Sequence, residues 1–230
     1  MVKAMIREIT QETPDVKRFI LELDKNMPFK AGQFVMLKID PERFDKIIPT
    51  RAYSIANAPN NKFEIHILAK IIPNSKFSKY LGQLEVMEEI EVQGPYGRFT
   101  LSEKDNSKHI TLVGAGTGIA PLVGIMDYAL QKNLDTHVIY CDRGEEHLIN
   151  IKQFDELTKQ NKISSSILTT RDKDSERIQT HVTQEFLEQD LPTKDTLFFV
   201  CGPLEFVNNV VDHLTQLGVG DERIKTERYG

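Results

Sequence analysis

Apolar and polar residues alternate over short stretches through the first hundred positions of this chain. Val16-Lys17-Arg18-Phe19-Ile20-Leu21 and Phe63-Glu64-Ile65-His66-Ile67 show the two-residue period of half-buried strands. Six strands are predicted: Ala4–Gln11, Val16–Leu23, Gln33–Ile39, Ala52–Ala56, Phe63–Ala69 and Glu89–Gln93. Turn residues separate them at Pro14-Asp15, Ala31-Gly32, Pro59-Asn60-Asn61 and Gly94-Pro95. Strands so short and regularly spaced point to an antiparallel barrel or sandwich. Phe77, Tyr80, Leu81 and Leu84 fall at helical spacing, so a turn or two of helix is expected near Ser78.

The rhythm changes after Ser102–Lys108, a polar stretch without pattern that reads as a linker. Strands are predicted at His109–Val113, Thr136–Cys141, Ser165–Thr169, Thr196–Cys201 and Arg223–Thr226. Helices are predicted at Ile119–Gln131, Ile151–Gln160 and Leu204–Leu217. Strand–helix alternation implies a parallel sheet covered on both faces. The expected organisation is two domains, an all-β unit over residues 1–104 and an α/β unit over residues 105–230.

Composition narrows the function classes. The 230 residues carry a net charge of −5, which argues against general nucleic-acid binding. Residues 1–104 balance at +2 and residues 105–230 at −7, so an acidic partner would land on the first half. No apolar run approaches the roughly 20 residues of a membrane span, and no secretory h-region is present. A cytoplasmic location is the default expectation, with no membrane partner. Two cysteines, Cys141 and Cys201, are too few for a Cys-ligated iron–sulfur cluster, and the scattered histidines offer no metal site.

Two stretches carry chemistry. In Leu112–Pro121, LVGAGTGIAP, a strand runs into three alternate glycines and then a helix, a junction suited to a cofactor pyrophosphate. Its G-x-G-x-G spacing differs from the usual dinucleotide fingerprint. In Arg51-Ala52-Tyr53-Ser54 an Arg offers a fork to phosphate, a Tyr offers a flat face to a ring system, and a Ser can donate or accept.

With TPDVKRFILEL, AGQFVML, RAYSIAN, GPYGRF, GAGTGIAP, CGP and a closing Glu-x-aromatic in order, the chain resembles the ferredoxin–NADP reductase superfamily nearly end to end. The resemblance implies a flavin-binding antiparallel Greek-key β-barrel followed by an NAD(P)-binding α/β domain. It implies FAD, with FMN as an alternative, and NADPH or NADH as cosubstrate. Arg51, Ala52, Tyr53 and Ser54 fall on the flavin motif, and Ile67, Leu68 and Ala69 on the strand that runs along the isoalloxazine. Phe77 and Ser78 fall on the second phosphate segment, where Ser78 is expected to cap the following helix. Gly114, Gly116, Thr117, Gly118 and Pro121 match the dinucleotide loop, and Cys201, Gly202 and Pro203 the segment that contacts nicotinamide. Thr170 and Arg171, with Arg177, resemble a site for a 2′-phosphate. Asp172, Asp174 and Glu176 interleave with them, and the balance tips slightly toward NADPH.

In the same resemblance Tyr229 covers the flavin until nicotinamide displaces it, and Glu227 joins Ser54 and Cys201 around the reacting atoms. The implied reaction is hydride transfer between nicotinamide and flavin, then electron passage to a small carrier such as ferredoxin or flavodoxin. Lys70, Lys76, Lys79 and Arg98 could receive an acidic carrier. The alternatives are a reductase of free flavin and an electron-transfer subunit of a larger oxidoreductase, as in dihydroorotate dehydrogenase. Subunits of that last kind carry a cysteine cluster that this sequence lacks.

Overall fold

The computed structural model describes residues 1–39, 50–60, 62–105, 107–191, 193 and 195–229; Asn61, Asn106 and Gly230, which fall in segments read above, lie outside them. The first half folds as six antiparallel strands: β1 (Val2–Thr13), β2 (Val16–Leu23), β3 (Phe34–Lys38), β4 (Arg51–Ser54), β5 (Glu64–Lys70) and β6 (Glu89–Tyr96). They lie in the order β4-β3-β6-β1-β2-β5. A bridge between Ile55 and Ile67 joins the two outer strands, so the sheet closes on itself. Alternation places Phe19 and Leu21 of β2, Val35 and Leu37 of β3 and Ile65 and Ile67 of β5 in one interior. Each such side chain contributes about 2 kcal/mol through burial.

One helix, α1 (Lys76–Leu81), interrupts the strands. Its N-cap is Ser75, whose hydroxyl accepts from the Ser78 N–H. This corrects the expectation that Ser78 caps the helix. The Ser78 hydroxyl instead ties down the preceding loop, accepting from the Ile72 N–H at 3.0 Å and donating to the Ile72 carbonyl at 3.1 Å.

The second half has five parallel strands, β7 (His109–Ala115), β8 (Asp135–Asp142), β9 (Ser164–Thr169), β10 (Leu197–Pro203) and β11 (Ile224–Tyr229), in the order β11-β10-β7-β8-β9. Helices α2 (Ile119–Gln131) and α3 (Ile151–Lys159) pack on one face, and α4 (Gln184–Asp190) and α5 (Leu204–Gln216) on the other. The sequence pattern does not show α4, since QEFLEQD has only two apolar residues. Its one local sign is Thr183, whose hydroxyl caps the Phe186 N–H at 3.1 Å. The final strand runs three residues past its predicted end and includes Glu227 and Tyr229.

The α2 face also packs on the barrel. Ala31, Ala56, Leu68, Phe99 and Leu101 share one cluster with Ile119, Leu122, Ile125 and Met126. At Gly124 a Cβ would come within 2.9 Å of the Ile55 and Asn57 carbonyls, so only glycine lets helix and barrel backbone meet this closely. Polar groups pin the same boundary. Glu12 accepts from Arg18 at 2.6 Å and from the Asn150 N–H at 3.1 Å, while Arg18 donates to Asn150 Oδ1 at 2.8 Å. The linker segment is tied down as well. Asp105 accepts from the Ser102 N–H and hydroxyl and from Lys225 of β11.

Candidate active site

A cleft of about 660 Å³ opens where the barrel meets the carboxyl edge of the parallel sheet. Such a volume lies within the range of cofactor pockets. β4 supplies Arg51, Ala52, Tyr53 and Ser54, and β5 supplies Leu68 and Lys70. Phe34, Arg98 and Phe99 come from the barrel, Thr117 and Ala120 from the glycine loop and α2, and Glu227, Arg228 and Tyr229 from β11. Among the described lining residues four cations therefore face one carboxylate across largely apolar walls. The arrangement fits a flavin, with flat apolar surface for its rings and guanidinium groups for its phosphates.

Strand period sorts the barrel residues. Leu68 lines the cleft, while Ile67 and Ala69, one position away on either side, point into the barrel interior with Phe77. Only the backbone of Ile67 and Ala69 is left to face a cofactor. Phe77 instead supports Tyr53, with ring centroids 6.0 Å apart. Burial pushes the Tyr53 phenol up to about 12, against a smaller opposing effect of Arg51. Arg51 is exposed and, among the described residues, donates to the adjacent Thr50 carbonyl at 3.1 Å.

Beyond β7, residues 116–118 form a single 3-10 turn that leads into α2. No side chain caps the start of α2, which leaves its first amides to water or a ligand. At Gly118 a Cβ would lie 2.4 Å from the Cys201 carbonyl oxygen, so this loop packs directly on the end of β10. Gly114 sits behind it against Leu122 and Ile119, and Pro121 is buried within the first turn of α2. Gly116 and Thr117 border a smaller recess of about 110 Å³ with Asp15, Lys70, Asp142, Arg143 and His147. There Asp15 pairs with Lys70 at 3.1 Å and with Arg143 at 3.6 Å.

Four residues from three distant segments converge at the centre. Parallel pairing of β10 with β11 sets Cys201 beside Glu227 and Pro203 beside Tyr229. The Tyr229 hydroxyl reaches Ser54 Oγ, 2.6 Å away and 175 positions distant in sequence. The Cys201 side chain is fully buried, and burial followed by the Glu227 charge pushes its thiol well up. It is a poor nucleophile in this state. Tyr229 is also pushed well above its ordinary value, first by burial and then by Cys201 and Glu227. Burial raises the Glu227 carboxyl to about 7. Ser54, Cys201, Glu227 and Tyr229 thus form one group, with Tyr229 lying over the thiol. Gly202 is buried behind it and Pro203 is exposed at the strand end.

Thr170 and Arg171 lie away from the cleft, at the end of β9. The Thr170 N–H donates to the Asp142 carbonyl at 3.0 Å and the Arg171 N–H to the Arg143 carbonyl at 2.9 Å. Arg177 is not an open cation. Both its terminal nitrogens bind Asp155, at 2.8 and 2.7 Å, and its Nε donates to Glu145 at 3.2 Å. The expectation of a free guanidinium for phosphate gives way to this pairing. The sequence reading also passes over Arg228 and Phe34. Arg228 is unremarkable inside a polar strand, and Phe34 reads as one more barrel apolar residue.

Comparison with known proteins agrees with this geometry. Residues 3–101 match the model of an oxidoreductase FAD-binding domain, and residues 112–212 that of an oxidoreductase NAD-binding domain. The electron transfer component of 2-halobenzoate 1,2-dioxygenase from Burkholderia cepacia is 31% identical over 88% of this chain and 60% of its own length. This chain therefore spans somewhat less than two thirds of that relative. The FAD/NAD-binding domain of a nitric oxide dioxygenase from Vibrio cholerae superposes with a TM-score of 0.89 at 24% identity, covering 100% of this chain and 98% of its own. A ferredoxin NADP+ reductase from Neisseria gonorrhoeae, solved with FAD and NADP, gives 0.84 at 21% identity over 98% and 97% of the two chains. A cofactor cleft between a closed antiparallel sheet and a parallel one, matched by both domain models in this order, identifies the chain as an oxidoreductase built from an FAD-binding domain followed by an NAD-binding domain, with the fold of a ferredoxin NADP+ reductase.

Proposed function

We propose that this chain is the reductase of an electron-transfer system, taking reducing equivalents from NAD(P)H and delivering them to a small acidic carrier protein. When bound, FAD supplies a group that accepts a hydride and gives up electrons singly. The chain's own residues prepare the place for it. Ala52, Tyr53 and Leu68 give the rings an apolar wall, and Arg51 offers a fork to phosphate. Ser54 orients the ring edge through a hydroxyl that can donate or accept. Tyr229 keeps water from Cys201 and must swing aside before nicotinamide reaches the thiol. Glu227, with its carboxyl near 7, holds or releases a proton beside that position around neutral pH.

The observation that carries the reading is the charge of the cleft. Arg51, Lys70, Arg98 and Arg228 line it and are exposed, Lys70 being paired with Asp15 outside the cleft, and among the described lining residues Glu227 is the one carboxylate. Lys76 and Lys79 are exposed on nearby α1. An acidic carrier docking on this rim is steered by a field that salt screens over about 10 Å at 0.1 M. Carrier reduction by the flavin-loaded protein is expected to fall steeply between 50 and 500 mM salt, while reduction of a small neutral acceptor stays level. Equal salt dependence for both acceptors would refute a charged docking step. The Burkholderia relative is an electron transfer component of a dioxygenase, which favours a terminal oxygenase as the eventual consumer of these electrons. Free flavin as substrate is the competing reading, and a purified protein that is colourless would favour it.

A further inference from the structure

A transfer between two bound rings needs the reacting atoms about 3–3.5 Å apart, so the two halves of the molecule must be held in register. We infer that Arg18, Asn150 and Gln153, far from the cleft centre, are positioning residues for this transfer, an inference that rests on the oxidoreductase reading. They form one hydrogen-bonded relay across the boundary between barrel and α/β unit, and it holds the glycine loop in place against the barrel. The relay starts at Arg18 on β2, whose Nε donates to Glu12 of β1 at 2.6 Å. A terminal nitrogen of Arg18 donates to Asn150 Oδ1 at 2.8 Å. The Asn150 amide donates to Gln153 Oε1 at 2.8 Å, and the Gln153 amide to Asp127 Oδ1 at 3.2 Å. A guanidinium therefore stands at one end and a carboxylate at the other, with two amides head to tail between them. Bonds in such a chain polarise one another. Burial raises the Asp127 carboxyl to about 6, against the smaller pulls of Gln153 and then Arg18, so at pH 8 it is the ionised end.

Two paths lead from the relay to the glycine loop. The first is short. Val16 and Ile149, close neighbours of Arg18 and Asn150 in sequence, border the small recess together with Gly116 and Thr117. The second runs along α2, which carries Asp127 near one end and follows Gly118 at the other. One turn before Asp127, Gly124 brings α2 against the Ile55 and Asn57 carbonyls, just beyond Ser54. A shift of α2 therefore changes the spacing between the glycine loop and Ser54. Apolar contact across the boundary, such as Leu68 and Phe99 with Ile125 and Met126, is non-directional and tolerates sliding. The relay supplies the direction that this contact lacks. Asn150 suits its central place, because its left-handed backbone (φ 62°) opens α3 while its own N–H donates to Glu12 at 3.1 Å. The Arg18 and Glu12 side chains are largely shielded from water, which would otherwise compete for these bonds.

Two variants cut the relay at different points. Asn150→Gly keeps the left-handed backbone, which glycine adopts freely, and removes both amide bonds. Gln153→Met keeps the side-chain length and severs the link to Asp127, which covers the case in which either variant folds poorly. One readout is flavin bleaching of the flavin-loaded protein at pH 8 over a series of NADH and NADPH concentrations. The other is amide hydrogen exchange of residues 114–120 in the nucleotide-free protein. At saturating nucleotide, bleaching is expected to slow about tenfold in each variant, since a misplacement of roughly 1 Å costs up to about 10²-fold. Flavin content and the half-saturating nucleotide concentration should stay level, and the loop amides should exchange faster. The double variant should be no slower than either single one, because both cuts break the same relay. An unchanged bleaching rate, a loss confined to nucleotide affinity, or slowing that multiplies in the double variant would overturn the inference. A parent protein bleached by neither nucleotide would sink the oxidoreductase reading separately. Loop exchange would then decide the relay, with faster exchange in both variants supporting it and exchange equal to the parent's overturning it.

Discussion

Glu227 gives a quantitative handle on the site. Burial raises its carboxyl from 4.5 to about 7 between the unfolded and folded states. A group whose folded value is the higher one binds protons on folding. Its contribution to stability is complete below pH 4.5 and is lost as the pH rises through 7. The gap corresponds to about 3 kcal/mol at 1.36 kcal/mol per pH unit, an upper bound because the side chain keeps some access to water. Glu227→Gln keeps the shape and removes the titration. Relative to this variant, the parent protein should lose up to about 3 kcal/mol between pH 4.5 and 8, most steeply from pH 5 to 7. Urea unfolding of the flavin-free protein at a series of pH values measures it. Tyrosine fluorescence can report, since the chain has six tyrosines and no tryptophan. Parallel stability curves for parent and variant across this range would refute a buried, elevated Glu227.

Other perturbations test neighbouring parts of the account. Gly118→Ala forces a Cβ to within 2.4 Å of the Cys201 carbonyl and should cost about 1–3 kcal/mol, read as a lower Tm; an unchanged Tm would show that the loop does not pack on β10 as described. Arg18→Met leaves Glu12, 15% exposed in its side chain, without its ion pair and should cost about 3 kcal/mol. Adding Glu12→Gln should restore part of that loss, and strictly additive effects would contradict the pairing. Tyr229→Ala removes the hydrogen bond to Ser54 and uncovers Cys201, so nicotinamide nucleotides should bind more tightly while turnover slows. Unchanged stopped-flow kinetics in that variant would exclude a gating role for Tyr229.

Much of the architecture is written in local pattern. In Val16–Leu23 the alternation from Phe19 to Leu23 gives the inward face of the strand, and Ile119–Gln131 presents an apolar surface long enough to mark both ends. Edge elements are less legible. β11 has no fully buried residue, so its pattern marks a strand only as far as Thr226, and its pairing with β10 carries it on to Tyr229. The site divides the same way. Ser54, Cys201, Glu227 and Tyr229 are recognisable singly, but the contact between Ser54 and Tyr229 is a product of tertiary packing. Arg177 shows the opposite limit. Its charge can be read from sequence, whereas the carboxylates that use it stand 22 and 32 positions away and come together only when β8, α3 and β9 stack.

All of these readings depend on nicotinamide and flavin meeting in the cleft between the closed sheet and the parallel one. Anaerobic stopped-flow absorbance of the flavin-loaded protein, with NADH carrying hydrogen or deuterium at C4, tests this most directly. The expected result is loss of the oxidised flavin band, slowed by deuterium because the transferred atom leaves C4. A flavin band that stays unchanged with NADH and with NADPH would contradict the account.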